Sequence, residues 1–240
     1  MELTLDLHIH SHRSPDGRMA LEEIVSRARQ AGLQGVAVCD HDLALTEEQV
    51  FPDFLLIPGV EVSTDRGHLL GLFVTGPVET KDFFRAAKAI RAQGGLAVLA
   101  HPFERHSEPE RIVPLVPYLD GIEVWNSRAD RKNSRANAMA AEFARAHGLR
   151  PFAGSDAHVP QEVGAGVTTV RAEALTLEAV KAALLTGNAQ ISGSRSPARY
   201  VAASQLTKRK KTGASPASYL KWALFAAKCC AQDLLKGVGR

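Results

Sequence analysis

Apolar and polar positions along the chain repeat with two periods, one typical of strands and the other typical of helices. Short apolar runs at residues 35–39 and 96–101 have the length and composition of strands that are buried on both faces. The segment 20–31 is spaced differently, because its apolar positions fall on one helical face, at Leu21, Ile24, Val25 and Ala28. Gly32 follows directly and indicates where that helix ends.

The two patterns alternate through about the first 190 residues. Strands are predicted at residues 3–10, 35–39, 55–62, 67–74, 96–101, 121–125 and 150–154, with a further candidate at 167–171. Helices are predicted at 20–31, 80–93, 131–147 and 177–186. Alternation of this kind predicts parallel strands covered by helices, so the expected fold class is α/β with seven barrel strands.

The sequence changes character near its last 50 residues, which predicts three regions. Residues 1–193 form the predicted barrel, 194–218 a basic flexible linker, and 219–240 an amphipathic C-terminal helix. The basic run 208–211 is interpreted as part of a solvated linker, with contact to a nucleic-acid backbone or to anionic lipid as the alternatives. The terminal helix is expected to pack on the barrel or on a partner subunit, which makes it a candidate interface for a homo-oligomer.

Composition and charge narrow the class of protein. Apolar residues make up 45% and charged residues 23% of the 240 positions, and the net charge of +3 argues against a general polyanion binder. Three cysteines, two of them adjacent, form no disulfide framework and fit a reducing cytoplasm. The chain opens on a strand, and no run approaches the roughly 18 apolar residues of a membrane span. We therefore expect a cytoplasmic protein with neither signal peptide nor membrane span.

Histidine and carboxylate residues recur where the predicted strands end. They are His8, His10, Asp16, His41, Glu61, His68, His101, Asp156 and His158. In parallel α/β barrels the carboxyl ends of the strands meet at one rim, which carries the functional loops. Imidazoles and carboxylates are the ligands that divalent metals such as zinc, manganese and iron take in proteins. Their placement predicts a multi-metal centre.

The strength of this prediction differs between positions. His8 and His10 lie two residues apart in a strand, so both side chains point to the same face. Glu61 lies inside an apolar strand, where an unpaired carboxylate would be costly to bury. Asp16, followed by glycine, also fits an ordinary turn. His68 also fits a hydrogen-bonded strand histidine.

The order of these motifs resembles that of the PHP (polymerase and histidinol phosphatase) family of metal-dependent phosphoesterases. The resemblance spans about residues 1–190. It implies a distorted (β/α)7 TIM-like barrel, here with a C-terminal helical extension, and two to three Zn, Mn or Fe ions. The implied ligands are His8, His10, Glu61 and Asp156 for one ion, Glu61, His68 and His101 for a second, and Asp16, His41 and His158 for a third.

The family implies a hydrolase that cleaves a small phosphomonoester by attack of a metal-bridged hydroxide. Glu61, Asp156 and His158 are the expected catalytic residues, with Asp156, His12 or His106 handling the proton. Candidate substrate-binding residues on the rim are Arg105, Asn126 and Arg128, for which ordinary surface polarity is the alternative interpretation.

The substrate stays open at this point. The spacing of Ser14 and Asp16 favours a histidinol-phosphatase-like enzyme. The Gly-Val-Glu-Val-Ser sequence of residues 59–63 favours a nucleotide phosphatase or 5′-3′ exonuclease instead. In the second case nucleic acid would act only as an oligonucleotide substrate. A non-catalytic, metal-stabilised PHP scaffold is a third hypothesis. It predicts bound metal without turnover.

Overall fold

A computed structural model of the chain describes residues 1–46 and 50–236. Within them, nine strands form one sheet in the order β7-β6-β5-β4-β3-β2-β1-β8-β9. The strands are β1 (Glu2–Ile9), β2 (Gly35–Val38), β3 (Leu55–Thr64), β4 (Gly67–Leu72), β5 (Leu96–Leu99), β6 (Gly121–Asn126), β7 (Pro151–Gly154), β8 (Gly166–Arg171) and β9 (Gln190–Gly193). The alternation of the sequence is thus confirmed as a mixed α/β fold.

The sheet curls into a nearly closed barrel. β1 pairs with β2, and the segment after β7 returns to β1 through an Ile9–Ala157 bridge. Asp156 N donates to His8 O at 2.8 Å, and His10 N donates to Ala157 O at 2.8 Å. These bonds bring the ends of β1 and β7 together at one rim, as a TIM-like barrel requires.

Two strands interrupt the parallel order. β4 runs antiparallel to both β3 and β5, so its first residues lie at the rim where its neighbours end. β8 runs antiparallel to β1 and pairs in turn with β9, a strand that the sequence pattern did not predict. The barrel is therefore distorted, and the reversal of β4 explains why His68 stands at the start of its strand.

Helices cover the sheet where the apolar spacing predicted them. They are α1 (Leu21–Gln30), α2 (Phe83–Ala92), α3 (Ala136–His147) and α4 (Leu177–Leu185). Asp82 accepts from Arg85 N and Thr176 from Ala179 N, which caps α2 and α4. α3 ends at Gly148, whose φ of 63° suits a left-handed residue.

The C-terminal region differs from the prediction of a linker followed by a helix. Most of the predicted linker is helix α5 (Ala198–Lys211), which packs against α6 (Pro216–Lys236). Asp233 of α6 accepts hydrogen bonds from Ala198 N and Arg199 N at the start of α5. This contact between helices could not be read from the Ser-, Pro- and Lys-rich sequence. The proposed division into domains stays a prediction, and residues 237–240 of the predicted terminal helix lie outside the described residues.

None of the helices in the described part of the chain combines the length and the apolar content that a membrane crossing needs.

Candidate metal centre

The nine candidate ligands all lie at one rim of the barrel. His8 is in β1, Glu61 is in β3, His68 is in β4, and the others follow β1, β2, β5 and β7. On the antiparallel β3–β4 pair, Ser63 is opposite His68, so Glu61 and His68 are diagonal neighbours on one face. The sheet thus gathers residues that are up to 150 positions apart in sequence.

The deepest group consists of His8, His10 and Asp156. The two imidazole Nε2 atoms are 3.1 Å apart, and His10 Nε2 is 3.2 Å from Asp156 Oδ1. Glu61 is next to them, with Oε2 3.5 Å from His10 Nε2. Both histidines are fully buried. The four side chains present nitrogen and oxygen atoms to one small volume, as the first implied ion requires.

Glu61 also faces a second group, formed by His68 and His101. Its Oε1 is 2.7 Å from His68 Nδ1 and 3.1 Å from His101 Nε2. Its Oε2 is 2.7 Å from His41 Nδ1. A single buried carboxylate is thus shared between ligand groups, which is the geometry of a bridging ligand.

The third group is Asp16, His41 and His158. Asp16 Oδ1 is 3.4 Å from His158 Nε2 and 3.6 Å from His41 Nε2. His158 Nδ1 is 2.9 Å from the carbonyl of Asp156, a distance that suits an Nδ1–H donor and leaves Nε2 free to accept. The structure therefore brings all nine predicted ligands together at one rim. Its tightest groups, His8–His10–Asp156, His41–Glu61–His68 and His10–His41–His158, overlap and only partly follow the three sets that the family resemblance implies.

Two oxygen atoms in this cluster lack hydrogen bonds. Among the described residues, Asp16 Oδ1 and Glu61 Oε2 are buried without a partner of acceptable geometry, although histidine nitrogens are near. Orphaned buried carboxylate oxygens are costly in a folded protein. Bound divalent cations would satisfy both atoms, so the donor set fits the implied metals.

The pKa shifts in the cluster also suit metal binding, because they leave a histidine neutral and two carboxylates charged. Burial lowers the pKa of His10 to about 3, helped by the charges of His158 and His41, so His10 stays neutral and able to accept a metal. Burial favours the neutral acid of Asp16, but the nearby His158 and His41 outweigh it and lower the pKa of Asp16 below its usual range. For Glu61, too, burial opposes the charge, yet His41 and His68 hold the pKa well below its ordinary value.

Glu123 is a buried residue of this site that sequence reasoning missed. Its Oε1 is 3.0 Å from His8 Nδ1, and its Oε2 accepts from the backbone N of His101 at 2.8 Å. The carboxylate therefore orients the His8 ring with Nε2 toward the centre, which is the usual task of a residue behind a metal ligand. A signal existed, since Glu123 stands inside an apolar strand just as Glu61 does.

Asp40 supports His10 in a comparable way. It accepts from Ser11 N at 2.8 Å and from the hydroxyls of Ser11 and Ser14, each at 2.6 Å. Ser14 Oγ is in turn 3.1 Å from His10 Nδ1. This chain of hydrogen bonds fixes the ring of His10 and the start of the loop that carries Asp16. Asp40 thus holds ligands in place.

The three predicted substrate-binding residues have different positions. Arg105 is 67% exposed beside the centre, 3.5 Å from Glu104. Arg128 is buried, and its Nε donates to Glu162 Oε1 at 2.8 Å. Asn126 is also buried, donating to Glu123 and accepting from the backbone of residues 128 and 129. The expectation that Asn126 and Arg128 clamp substrate is therefore corrected, because their polar groups are already bonded inside the protein.

Two ligand positions have an unusual backbone. His101 has a φ of 27° and Asp156 a φ of 56°. Left-handed conformations cost non-glycine residues on the order of 1–3 kcal/mol and concentrate at functional sites. Each residue lies two positions beyond the end of a barrel strand, so the turns direct their side chains inward at some cost in stability.

Comparison with known proteins shows to which family the chain belongs. Residues 6–155 match the sequence profile of the PHP domain, and residues 134–189 match that of a PHP-associated region. The chain belongs to the PHP domain family. An uncharacterized protein of Methanocaldococcus jannaschii is 33% identical over 175 residues, which cover 68% of each chain. A second uncharacterized protein of that organism is 30% identical over 146 residues, covering 51% of this chain and 81% of its own.

Solved structures of PHP-like proteins have a similar fold. A two-domain protein of Bacteroides vulgatus, described as containing a predicted PHP-like metal-dependent phosphoesterase, superposes with a TM-score of 0.63 at 22% identity. The match covers 81% of this chain and 65% of that one. The lesion-specific endonuclease Q of Pyrococcus furiosus gives a TM-score of 0.55 at 20% identity, over 80% of this chain and 58% of its own. At these identities the similarity concerns the fold.

Proposed function

We propose that this PHP protein is a metal-dependent phosphoesterase that hydrolyses a small phosphomonoester. The observation that carries the proposal is the position of Glu61, a buried residue of β3 whose two oxygens face histidines of every ligand group. A carboxylate so placed suits a centre of two or three closely spaced cations. Such centres serve phosphate-ester hydrolysis in many enzymes.

The residues that would hold the ions are those of the three ligand groups, the first two of which have Glu61 in common. When bound, divalent cations lower the pKa of a coordinated water and offset the charge of a phosphate. Zinc, manganese and iron all accept this mixture of imidazoles and carboxylates. The chain itself buries His8 and His10 away from water and orients their rings. Glu123 bonds to His8, and Ser14, which is held by Asp40, bonds to His10.

A cleft of about 280 Å³ adjoins the centre and supports a small substrate. Its wall includes His68 and His101 on the side of the centre, with Arg66, Arg105 and His106 farther out. Small-molecule sites of this size occupy the lower end of the usual range. In the proposed complex, the phosphate lies toward the histidines, and Arg105 binds a non-bridging oxygen or another anionic group.

Proton transfer is assigned to Asp156, with His106 as the alternative on the cleft side. Asp156 Oδ1 is 3.2 Å from His10 Nε2 and 3.5 Å from His158 Nδ1, so it can relay a proton at the rim. His106 is exposed and 3.3 Å from Arg111 Nη1. His12 is less suitable, because its Nδ1 is 3.3 Å from the carbonyl of Met19 in the same loop.

The choice of substrate is tested with a panel. Histidinol phosphate, nucleoside monophosphates and short 5′-phosphorylated oligonucleotides represent the candidates from sequence. A duplex with an abasic lesion is included, because endonuclease Q has been solved with such a substrate at its active site. Fast turnover of one monophosphate with none on the duplex is the expected result.

The first experiment measures metal content and p-nitrophenyl phosphate turnover on the same sample, purified without chelator. We expect two to three ions per chain and turnover that chelation abolishes. Glu61→Ala is expected to lose both, while Glu142→Ala, on the exposed face of α3, keeps both. Full metal content without turnover on any member of the panel would favour the non-catalytic scaffold. Absence of metal after loading with Mn or Zn would refute the ligand assignment.

A further inference from the structure

Lys211, the last residue of α5, reaches across to the loop that carries Asp16. Its Nζ donates to the backbone carbonyls of His12 at 2.5 Å, Ser14 at 2.8 Å and Gly17 at 2.7 Å. An ammonium group has three protons, and here each finds an oxygen. The three acceptors bracket Asp16 on both sides. The loop is therefore held at two places: it starts from β1, and Lys211 of α5 binds its backbone farther along.

The same helix reaches the other side of the third ligand group. Ser204 of α5 accepts from Arg128 Nη1 at 3.3 Å. Arg128 forms a buried ion pair with Glu162, and Glu162 Oε2 accepts from the backbone N of His158 at 3.0 Å. Ser196, just before α5, donates to Glu162 as well. A continuous set of polar contacts thus joins α5 to the backbone of a second ligand.

We propose that α5 is a positioning element for the Asp16–His41–His158 group, acting through Lys211 on one ligand and through Ser204, Arg128 and Glu162 on another. The other two ligand groups lie in or just after strands of the barrel and have no direct hydrogen bond to α5 among the residues described. α5 also lies beyond both stretches that match PHP profiles, the later of which ends at residue 189. The C-terminal extension is therefore part of the metal site of this chain, and this inference rests on the proposed metal-binding function.

The test compares Lys211→Met with Lys210→Met, a neighbouring exposed lysine on the same helix turn. Methionine keeps most of the apolar stem of the side chain and removes its three hydrogen bonds. After identical loading with Mn and dialysis, K211M is expected to retain about one ion per chain fewer than wild type. Its weakest site should bind Mn at least tenfold more weakly, within the 10- to 100-fold range for supporting residues. K210M should match wild type.

A second readout needs no metal. In chelator-treated protein, backbone amides of residues 12–14 and 16–17 should exchange with deuterium at least tenfold faster in K211M than in K210M, while amides of β2 and β5 exchange equally. Ser204→Ala should weaken the same Mn site with little effect on that loop. Equal metal content and equal exchange in K211M and K210M would overturn the proposal.

The two readouts separate this inference from the proposed function. Metal-loaded K211M that loses all ions at once would mean that α5 supports the fold in general, and would refute selective positioning. A wild-type protein that binds no metal would refute the proposed function and, with it, the metal part of this inference. In that case the exchange rates alone decide whether Lys211 holds the loop.

Discussion

At the scale of single residues, the site depends on carboxylates that sit behind the ligands. Glu123→Gln tests this, because the amide keeps the size of the side chain but replaces one acceptor oxygen by an NH2 group. That group would face either His8 Nδ1 or the backbone N of His101, both of which need an acceptor. We expect a 10- to 100-fold loss of metal affinity, measured by competition with a chelator.

The matched control for that substitution is Glu142→Gln on the exposed surface of α3. It should leave metal affinity unchanged. If Glu123→Gln binds metal as wild type does, the orienting role of Glu123 is wrong. A loss of the folded state, seen by circular dichroism in the metal-free protein, would assign Glu123 to the core of the fold.

Histidine protonation makes the stability of the metal-free protein depend on pH, and the pKa shifts define the direction of that dependence. Burial opposes the charged form of His41 and His101, but Glu61 outweighs it and raises the pKa of each to about 9. A raised pKa stabilises the fold fully below the ordinary value of 6.5 and loses that contribution as pH rises through about 9. The melting temperature of chelated protein should therefore fall between pH 6.5 and 9.

Metal binding should show the opposite trend over the same interval. Both imidazoles must lose their protons to become ligands, so apparent affinity rises with pH until about 9. Calorimetry in buffers of different ionisation enthalpy would detect the released protons. Release of no proton near pH 7.5 would show that these histidines are not ligands or are already neutral.

The candidate site was predictable from sequence where residue type and strand position agree. His8, His10 and Glu61 are polar residues in apolar strands, and such residues need a partner. Glu123 carries the same signal inside β6 but was not predicted. The inward orientation of the Arg128 side chain could not be predicted. Its partner Glu162 is 34 residues away, and only the folded chain brings the two together.

At the scale of secondary-structure elements, the close approach of β7 to β1 builds the deepest ligand group. A Cβ at Gly154 would lie 2.3 Å from His8 Cβ and 2.8 Å from His8 N. His8 cannot retreat easily, because Glu123 and the backbone of Asp156 bond to it. Gly154→Ala should therefore lower the free energy of unfolding by about 1–3 kcal/mol or more, as overpacking does. Urea denaturation measures this.

Gly76→Ala is the control for that change. Its Cβ would meet only the end of the Gln93 side chain, an exposed amide that can move. We expect a change within about 1 kcal/mol, the usual size of a glycine-to-alanine effect through the unfolded state. Equal stability of the two variants would mean that β1 and β7 can separate without cost.

The elements themselves were predictable where the apolar period is regular, as in β2, β5 and α1. The direction of β4 was missed although a signal existed, since the two residues that link it to β3 are too few for a crossover between parallel strands. α5 was missed for a different reason. Its spacing has little amphipathic pattern, and its helical form depends on packing against α6 and on the capping carboxylate of Asp233.

At the scale of the whole molecule, α6 presents an apolar seam to solvent. It consists of Leu220, Leu224, Ala227, Ala231 and Leu234, at alternating spacings of four and three residues. The three leucines are 68–80% exposed. This spacing is that of the contact positions in a coiled coil, and the opposite face of α6 is already used by α5. The terminal helix was a candidate interface between two copies of the chain, with packing on the barrel as the alternative, and this seam defines the surface that such an interface would use.

Two copies joined through α6 should sediment as a dimer at tens of micromolar. Leu224→Glu, in the middle of the seam, should yield monomers, because it places a charge where two apolar surfaces would meet. Val113→Glu introduces the same charge at another exposed apolar position and should leave the dimer intact. Since α5 holds the Asp16 loop on its far side, the monomeric variant should keep its full metal content. A wild-type protein that sediments as a monomer would refute the interface and leave the metal centre unaffected.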